Sequence, residues 1–144
     1  MLVQQILKAK ANAGILSVTP DSSVQDALKV MSDNRVGTVV VSKDGKSLDG
    51  ILSERDVVRE VGKRGAPVLE EPVSGIMTAK IITATEDQTA LAILRVMTEK
   101  RFRHMPVMRD GEMVGLISIG DVVKGRLEEL AMERNALEGM IMGH

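Results

Sequence analysis

Two pairs of residues have types and spacing that could do chemistry. Ser53 and Asp56 stand three apart in "GILSERDV" (50–57), and Ser118 and Asp121 stand three apart in "GLISIGDV" (115–122). In each stretch a glycine opens an apolar run that ends at the serine, which reads as a strand feeding the first turn of a helix. Two chemistries fit. In the first, the pair is a helix N-cap: the serine accepts a first-turn amide and the acid bonds back, although this reciprocal box favours the longer Glu or Gln. In the second, the free amides and positive end of the helix attract a phosphate, to which the serine hydroxyl adds a bond. The ionised Asp then accepts from both hydroxyls of a ribose. The glycine keeps the strand wall open for a flat ring, and phosphate, ribose and ring together make a nucleotide.

The elements that must position these pairs are themselves duplicated. With Met31 laid over Met97, "VTPDSSVQDALKVMSDNRVGTVVVSKDG" (18–45) lies over "ATEDQTALAILRVMTEKRFRHMPVMRDG" (84–111) without a gap. One residue drops out after that, and Gly50, Ser53 and Asp56 meet Gly115, Ser118 and Asp121. In each copy an apolar face recurs at helical spacing: Val24, Ala27, Leu28 and Met31, then Ala90, Ile93, Leu94 and Met97. Asp21 and Asp87 stand just ahead, as caps or first-turn acids. "VGTVVV" (36–41) and "HMPVM" (104–108) predict strands, and Asp44-Gly45 and Asp110-Gly111 predict hairpin turns returning to a second strand. The order is strand, helix, strand, strand, helix, twice.

The predicted fold class is α+β (α/β-like): two pseudo-symmetric β-α-β-β-α repeats packed sheet to sheet, with an extended C-terminal helix. Residues 1–64 hold the first repeat and its N-terminal segment, 65–75 the linker, 76–127 the second repeat and 128–144 the helical extension. Each copy is small enough to be marginal alone. The overhanging helix, with "RLEELAMER" (126–134) at its centre, combines a solvated charged face with an association stripe for a second copy of the chain.

Composition removes several functions. Hydrophobic residues make up 44% of the 144 and charged residues 27%, so a globular core is expected. There is no Cys, and one of the two His is the terminal His144, which excludes disulfides, thiolate chemistry and a multi-His metal site. The net charge of −1 and a single aromatic residue, Phe102, argue against nucleic acid. No apolar stretch has the length of a membrane span and no signal-peptide layout is present, so the chain reads as cytoplasmic. No activated nucleophile, metal cluster or glycine-rich phosphate-transfer loop is seen, so an enzyme is not expected. The methionines read as adaptable core and interface filler.

This order of elements, with Gly-apolar-apolar-Ser-x-x-Asp closing both copies and "RFRHMPV" (102–107 with its preceding arginine, 101) leading the second hairpin, resembles the tandem CBS-domain pair, or Bateman module. The resemblance spans about residues 10–127 and is nearest to stand-alone bacterial pairs that carry no attached enzyme. It implies a regulatory module binding an adenine nucleotide (AMP, ADP, ATP or NAD(H)) in clefts between the repeats. By that resemblance, one site sets Ile15, Leu16, Val36 and Gly37 around the base, Arg103 and His104 at the phosphate, and Ser118 and Asp121 to close it. The other sets Thr78, Lys80, Ile81, Ile82 and Phe102 with Ser53 and Asp56. There Gly37-Thr38 replaces the basic Arg103-His104, so either Arg55 or Lys80 supplies the charge, or the site binds more weakly, prefers nucleosides or is structural. The competing reading is a structural homodimerisation module with vestigial clefts.

Overall fold

The apolar spacings form helices in the computed structural model, which describes residues 1–10 and 14–142. His144, set aside above, lies outside them. The chain runs α1 (Val3–Ala9), β1 (Ser17–Val18), α2 (Val24–Asn34), β2 (Thr38–Val41), β3 (Gly50–Ser53) and α3 (Glu54–Arg64). It continues through β4 (Ala84–Thr85), α4 (Ala90–Lys100), β5 (His104–Arg109), β6 (Glu112–Ser118) and α5 (Ile119–Ile141). Of the predicted faces, Val24, Ala27 and Met31 on α2 and Ala90, Ile93 and Met97 on α4 are buried, while Leu28 and Leu94 are half-buried. The element order and the long C-terminal helix are as expected.

The strands make two three-stranded sheets, ordered β1-β2-β3 and β4-β5-β6. In each, the first strand pairs parallel with the second, Ser17 opposite Val40 and Ala84 opposite Val107. β2 and β3 are antiparallel, Thr38 opposite Ser53. The second hairpin turns on Asp110 and Gly111, both with positive φ (51° and 80°), as a two-residue turn of the mirror-image type requires. The first does not. There Asp44 Oδ1 accepts from the amides of Lys46 (2.9 Å) and Ser47 (2.7 Å), which opens the turn into a longer loop.

The expected caps are corrected. Ser23 Oγ accepts the Asp26 amide at 3.0 Å and Thr89 Oγ1 accepts the Ala92 amide at 3.1 Å. Asp21 and Asp87 sit too far ahead to reach those amides; each instead accepts the hydroxyl of the threonine two residues before it, Thr19 or Thr85, at 2.6 Å. Both helices end on an arginine in the left-handed region, Arg35 (φ 55°) and Arg101 (φ 60°). Those two turns deliver Val36-Gly37 and Phe102-Arg103 at matching places ahead of β2 and β5.

The connector is folded too. Residues Ala66–Glu70 and Val73–Gly75 form short 3₁₀ turns, and Val68 and Val73 are buried in the core with Val24, Ala27 and Met31. Its far end forms an arm with a counterpart at the N-terminus. Glu71 O accepts the Val24 amide and the Val73 amide reaches Ser22 O; Met1 O accepts the Ala90 amide and the Val3 amide reaches Gln88 O. The arms share a sequence pattern, "VQQILKAK" (3–10) against "VSGIMTAK" (73–80). Each arm lays one apolar side chain on a glycine of the last strand, Gly115 within β6 and Gly50 at the start of β3. A Cβ on Gly115 would stand 2.5 Å from Leu7 Cδ2, and one on Gly50 would stand 2.5 Å from Met77 Sδ.

The chain accordingly divides into two compact units. One holds residues 1–13, 83–108 and 115–144; the other holds 14–82 and 109–114. The N-terminal arm completes the unit built on the second repeat, and the connector arm completes the unit built on the first.

Gly115→Val is expected to destabilise the chain by about 1–3 kcal/mol through overpacking against Leu7. In urea unfolding, Leu7→Ala should relieve part of that loss, so the double variant is less damaged than the two single losses together. Additivity to within about 0.5 kcal/mol would show that the two side chains do not share the space.

Candidate functional site

Each unit has its own candidate site, at the N-terminal tip of the helix that follows its last strand, α5 after β6 and α3 after β3. At the tip of α5, Ser118 Oγ accepts the Asp121 amide (3.1 Å) and Asp121 Oδ2 accepts the Ser118 amide (2.9 Å). The Ile119 amide donates to Arg103 O at 2.8 Å, which fixes the start of β5 beside the helix tip. Arg103, His104, Ser118 and Asp121, four of the residues expected at the first site, therefore stand together in one unit. Arg103 is exposed and His104 half-buried.

Lys10 joins them, and sequence reasoning missed it. The N-terminal arm carries its ammonium to Asp121 Oδ2 (2.9 Å) and to Leu116 O (2.7 Å). Alongside lies a recess of about 190 Å³, with Lys10, Asp121, Lys124 and Glu128 on its polar side and Met1 and Ile6 on its apolar side. The available signal was Lys80, which the arm pattern places opposite Lys10 and which was assigned to the other site.

The electrostatics follow from this cluster. Burial raises the Asp121 carboxyl, but the Ser118 amide and the Lys10 ammonium outweigh it, and the group titrates below the usual 3.8. Burial is also the main force on His104, pushing it below 6.5; Lys10 adds to that, Asp121 opposes it, and Arg103 adds a little more. Lys10 thus pairs directly with the ionised Asp121, and His104 feels the charges of Lys10, Asp121 and Arg103.

The tip of α3 repeats the geometry with different charges. Ser53 Oγ accepts the Asp56 amide at 3.3 Å, and Asp56 Oδ2 accepts the Ser53 amide (2.9 Å) and hydroxyl (3.0 Å). The Glu54 amide donates to Gly37 O at 2.9 Å, the counterpart of the Ile119–Arg103 bond. Thr78 pairs with Ile51 through two backbone bonds of 2.9 Å, which brings the connector arm to the same strand. Ser53, Asp56, Gly37 and Thr78 are thereby gathered in the other unit. Asp56 is nearly buried, and its Oδ1 takes Arg59 at 2.8 Å. Arg59 is the cation that meets Asp56, rather than Arg55 or Lys80; all three are exposed. The Glu54 carboxylate folds over Gly37, within 3.0 Å of where a Cβ would be.

The remaining expected residues take their places on these elements. Leu16 O accepts the Val40 amide at 3.1 Å at the head of β1, with Ile15 half-buried beside it in sequence and Val36 exposed. Phe102 is half-buried at the end of α4, and Ile81 and Ile82 follow Lys80. Two expectations are corrected. Both aspartates complete capping boxes despite their short side chains. The strand glycines do not keep a wall open; Leu7 and Met77 fill the space above them. Among the described residues, no cluster of three or more metal-ligating side chains is present, and no helix is long and apolar enough to cross a membrane.

A pH dependence follows. The unfolded chain binds a proton on His104 at about the usual 6.5 while the folded chain resists it, so stability rises as pH climbs toward 6.5 and is level above it. For Asp121 the contribution is present above 3.8 and is lost as pH falls through its lowered value. Imidazole NMR titration is expected to place His104 below 6.5 and to move it upward in Lys10→Met. An unmoved His104 would mean that the Lys10 charge is not felt there.

The comparisons with known proteins bear on this geometry. The CBS domain family profile matches residues 7–63 and 73–128. A mitochondrial CBS domain-containing protein of Arabidopsis thaliana, CBSX3, is 37% identical over 98% of this chain and 72% of its own length. A crystal structure of a CBS-domain containing protein from Agrobacterium tumefaciens is 36% identical, covers 88% of this chain and 99% of that one, and superposes with a TM-score of 0.82. The CBS domain pair of protein MJ0100, solved in complex with 5-methylthioadenosine and S-adenosyl-L-methionine, shares the fold at 21% identity and a TM-score of 0.75, over 90% of this chain and 98% of that one. With two copies of one family pattern covering most of its length, the chain belongs to the CBS-domain family as a tandem pair.

Proposed function

We propose that the chain is a non-catalytic regulatory module, working in the cytoplasm, that binds an adenine nucleotide (AMP, ADP, ATP or NAD(H)) and reports energy or redox state to a protein partner. The observation that carries this reading is the cluster at the tip of α5. Lys10 pairs with an Asp121 that stays ionised, Arg103 is tied to the helix start through its carbonyl, and His104 follows it at the head of β5. The basic residues suit phosphate and the carboxylate beside them suits sugar hydroxyls, although the tip's own Ile119 and Asp121 amides are already bonded. The base is assigned to Ile15, Leu16, Val36 and Gly37, as the family resemblance implies. The adenosyl ligands named for the MJ0100 pair are in keeping with this chemistry. Binding acts on the partner only through its difference in affinity between two states of the module, which we take to be a homodimer.

The tip of α3 is the weaker site. Ser53, Asp56, Thr78, Lys80, Ile81 and Ile82, with Phe102, would hold a ligand there, but Glu54 stands where the other tip has Ile119, and Arg59 already occupies Asp56. A second reading, a structural homodimerisation module with vestigial sites, is favoured by one observation: both aspartates already serve as caps.

Isothermal titration with AMP, ADP, ATP, NAD(H) and S-adenosylmethionine separates the two readings. The nucleotide reading expects heat with at least one phosphorylated adenylate, lost by more than about tenfold in Asp121→Ala, a change of about 1.4 kcal/mol. Asp56→Ala should affect a weaker event or none. The structural reading expects no heat or thermal shift with any of them at millimolar concentration. Each variant would then lose only a cap's worth of stability, about 1 kcal/mol.

A further inference from the structure

α5 continues beyond the elements it packs on. Its first half is held: Val122 and Gly125 are buried, a Cβ on Gly125 would meet Met1 and Ile6, and Glu129 takes the N-terminal ammonium. From Leu130 to Met142 every residue except Gly139 is exposed. A merely solvated extension would be polar all round. Here Val123, Leu127, Leu130, Leu137 and Ile141 are all exposed, Leu127 by 61% and Ile141 by 85%. They recur at alternating steps of four and three residues, and Arg134 fills the one remaining place. This is the seam pattern of a coiled coil, with Leu127, Arg134 and Ile141 at a and Val123, Leu130 and Leu137 at d.

We propose that this stripe docks a second copy of the chain as an antiparallel two-helix seam. The proposal rests on the homodimer reading above and adds the surface and its direction. Charge decides the direction. In a parallel pair, a positions face each other, so the two Arg134 guanidinium groups would meet inside the seam. Glu133 at g would also face Glu138 at e of the second copy on both sides, and like charges there repel.

The antiparallel pair removes both conflicts. With Leu127 opposite Leu137, Val123 falls opposite Ile141 and Leu130 opposite Arg134, so every apolar member of the stripe has a facing residue. Lys124 then lies across from Glu138 of the second copy, once at each end. The one like-charge meeting, Glu133 with its own copy near the dyad, has an Arg134 next to it on each helix. Glu138 bonds Arg134 in its own chain at 3.0 Å, but that pair is exposed and weakly held, so both groups can turn to the second copy. A single polar a position of this kind fixes register at some cost in stability.

The chain has no Cys, so introduced thiols report cleanly. Full-length Leu127→Cys mixed with full-length Leu137→Cys is expected to give a disulfide-linked heterodimer under mild oxidation, with little self-linking of either alone. Self-linking of each alone, with no preference for the mixture, would establish a parallel seam and overturn the proposal. Leu127→Glu with Leu137→Glu changes two exposed positions, so the circular dichroism should be kept. In sedimentation its dimer should weaken by about 100-fold or more, the scale of losing leucine contacts. If the wild type is dimeric but neither crosslinks nor responds to these charges, the seam is wrong and the homodimer reading stands. If the wild type sediments as a monomer at about 100 μM, where even a micromolar dimer would persist, both are wrong.

Discussion

The fold turns on one contact made twice: an apolar side chain laid on a strand glycine. Leu7 covers Gly115 and Met77 covers Gly50, so close that a single added carbon would collide with either. Around each contact the arm's backbone is tied to the turn ahead of a helix, Met1 and Val3 to Ala90 and Gln88, Glu71 and Val73 to Val24 and Ser22. The consequences are chemical as well as mechanical. The N-terminal arm brings Lys10 to Asp121, and the connector arm brings Thr78 to the strand that ends in Ser53. The second repeat's unit draws its arm from the far end of the chain, so it closes only after a long loop closure. The first repeat's arm follows it directly and closes locally.

Much of this was legible from residue spacing. Periodicity predicted α2 and α4 because a helix must bury one face, and Val24, Ala27, Met31 and their counterparts are that face. The Ser-x-x-Asp pairs marked both helix tips for the same reason: a first turn has unpaired amides that a short polar side chain can meet. Asp21 and Asp87 misled because Ser23 and Thr89 lie closer to those amides. The glycines misled because a missing Cβ says only that something comes close; here it is Leu7 and Met77. Lys10 went unread because the gapless match begins at Val18. Four more residues separate Lys10 from Ile15 than separate Lys80 from Ile81, and that offset hides "VQQILKAK" from "VSGIMTAK".

Shared geometry did not make the two tips equal. A backbone bond from Ile119 to Arg103 at one tip answers one from Glu54 to Gly37 at the other, so the strands and helices meet in the same way. The side chains then diverge in sign. A basic strand residue and an apolar helix residue face a glycine and an acid, and Lys10 approaches Asp121 where Arg59 approaches Asp56. Duplication preserved the backbone that presents a carboxylate at a helix start and left its surroundings free to change.

Capping and ligand binding by these carboxylates compete for position, not for capacity. An ionised carboxylate offers about four acceptor directions over its two oxygens. At Asp121 the cap and the Lys10 ammonium both fall on Oδ2, so a sugar hydroxyl approaching Oδ1 would leave the helix start intact. At Asp56 the cap holds Oδ2 and Arg59 holds Oδ1, so an incoming hydroxyl must first displace a guanidinium. Arg59 is half exposed and its pairing correspondingly screened, so that displacement is a modest cost rather than a bar. On the proposed reading, the same capping motif would let one tip take a polyol directly and the other only after a side chain has moved. That difference lies in a residue one turn along the helix, outside the motif itself.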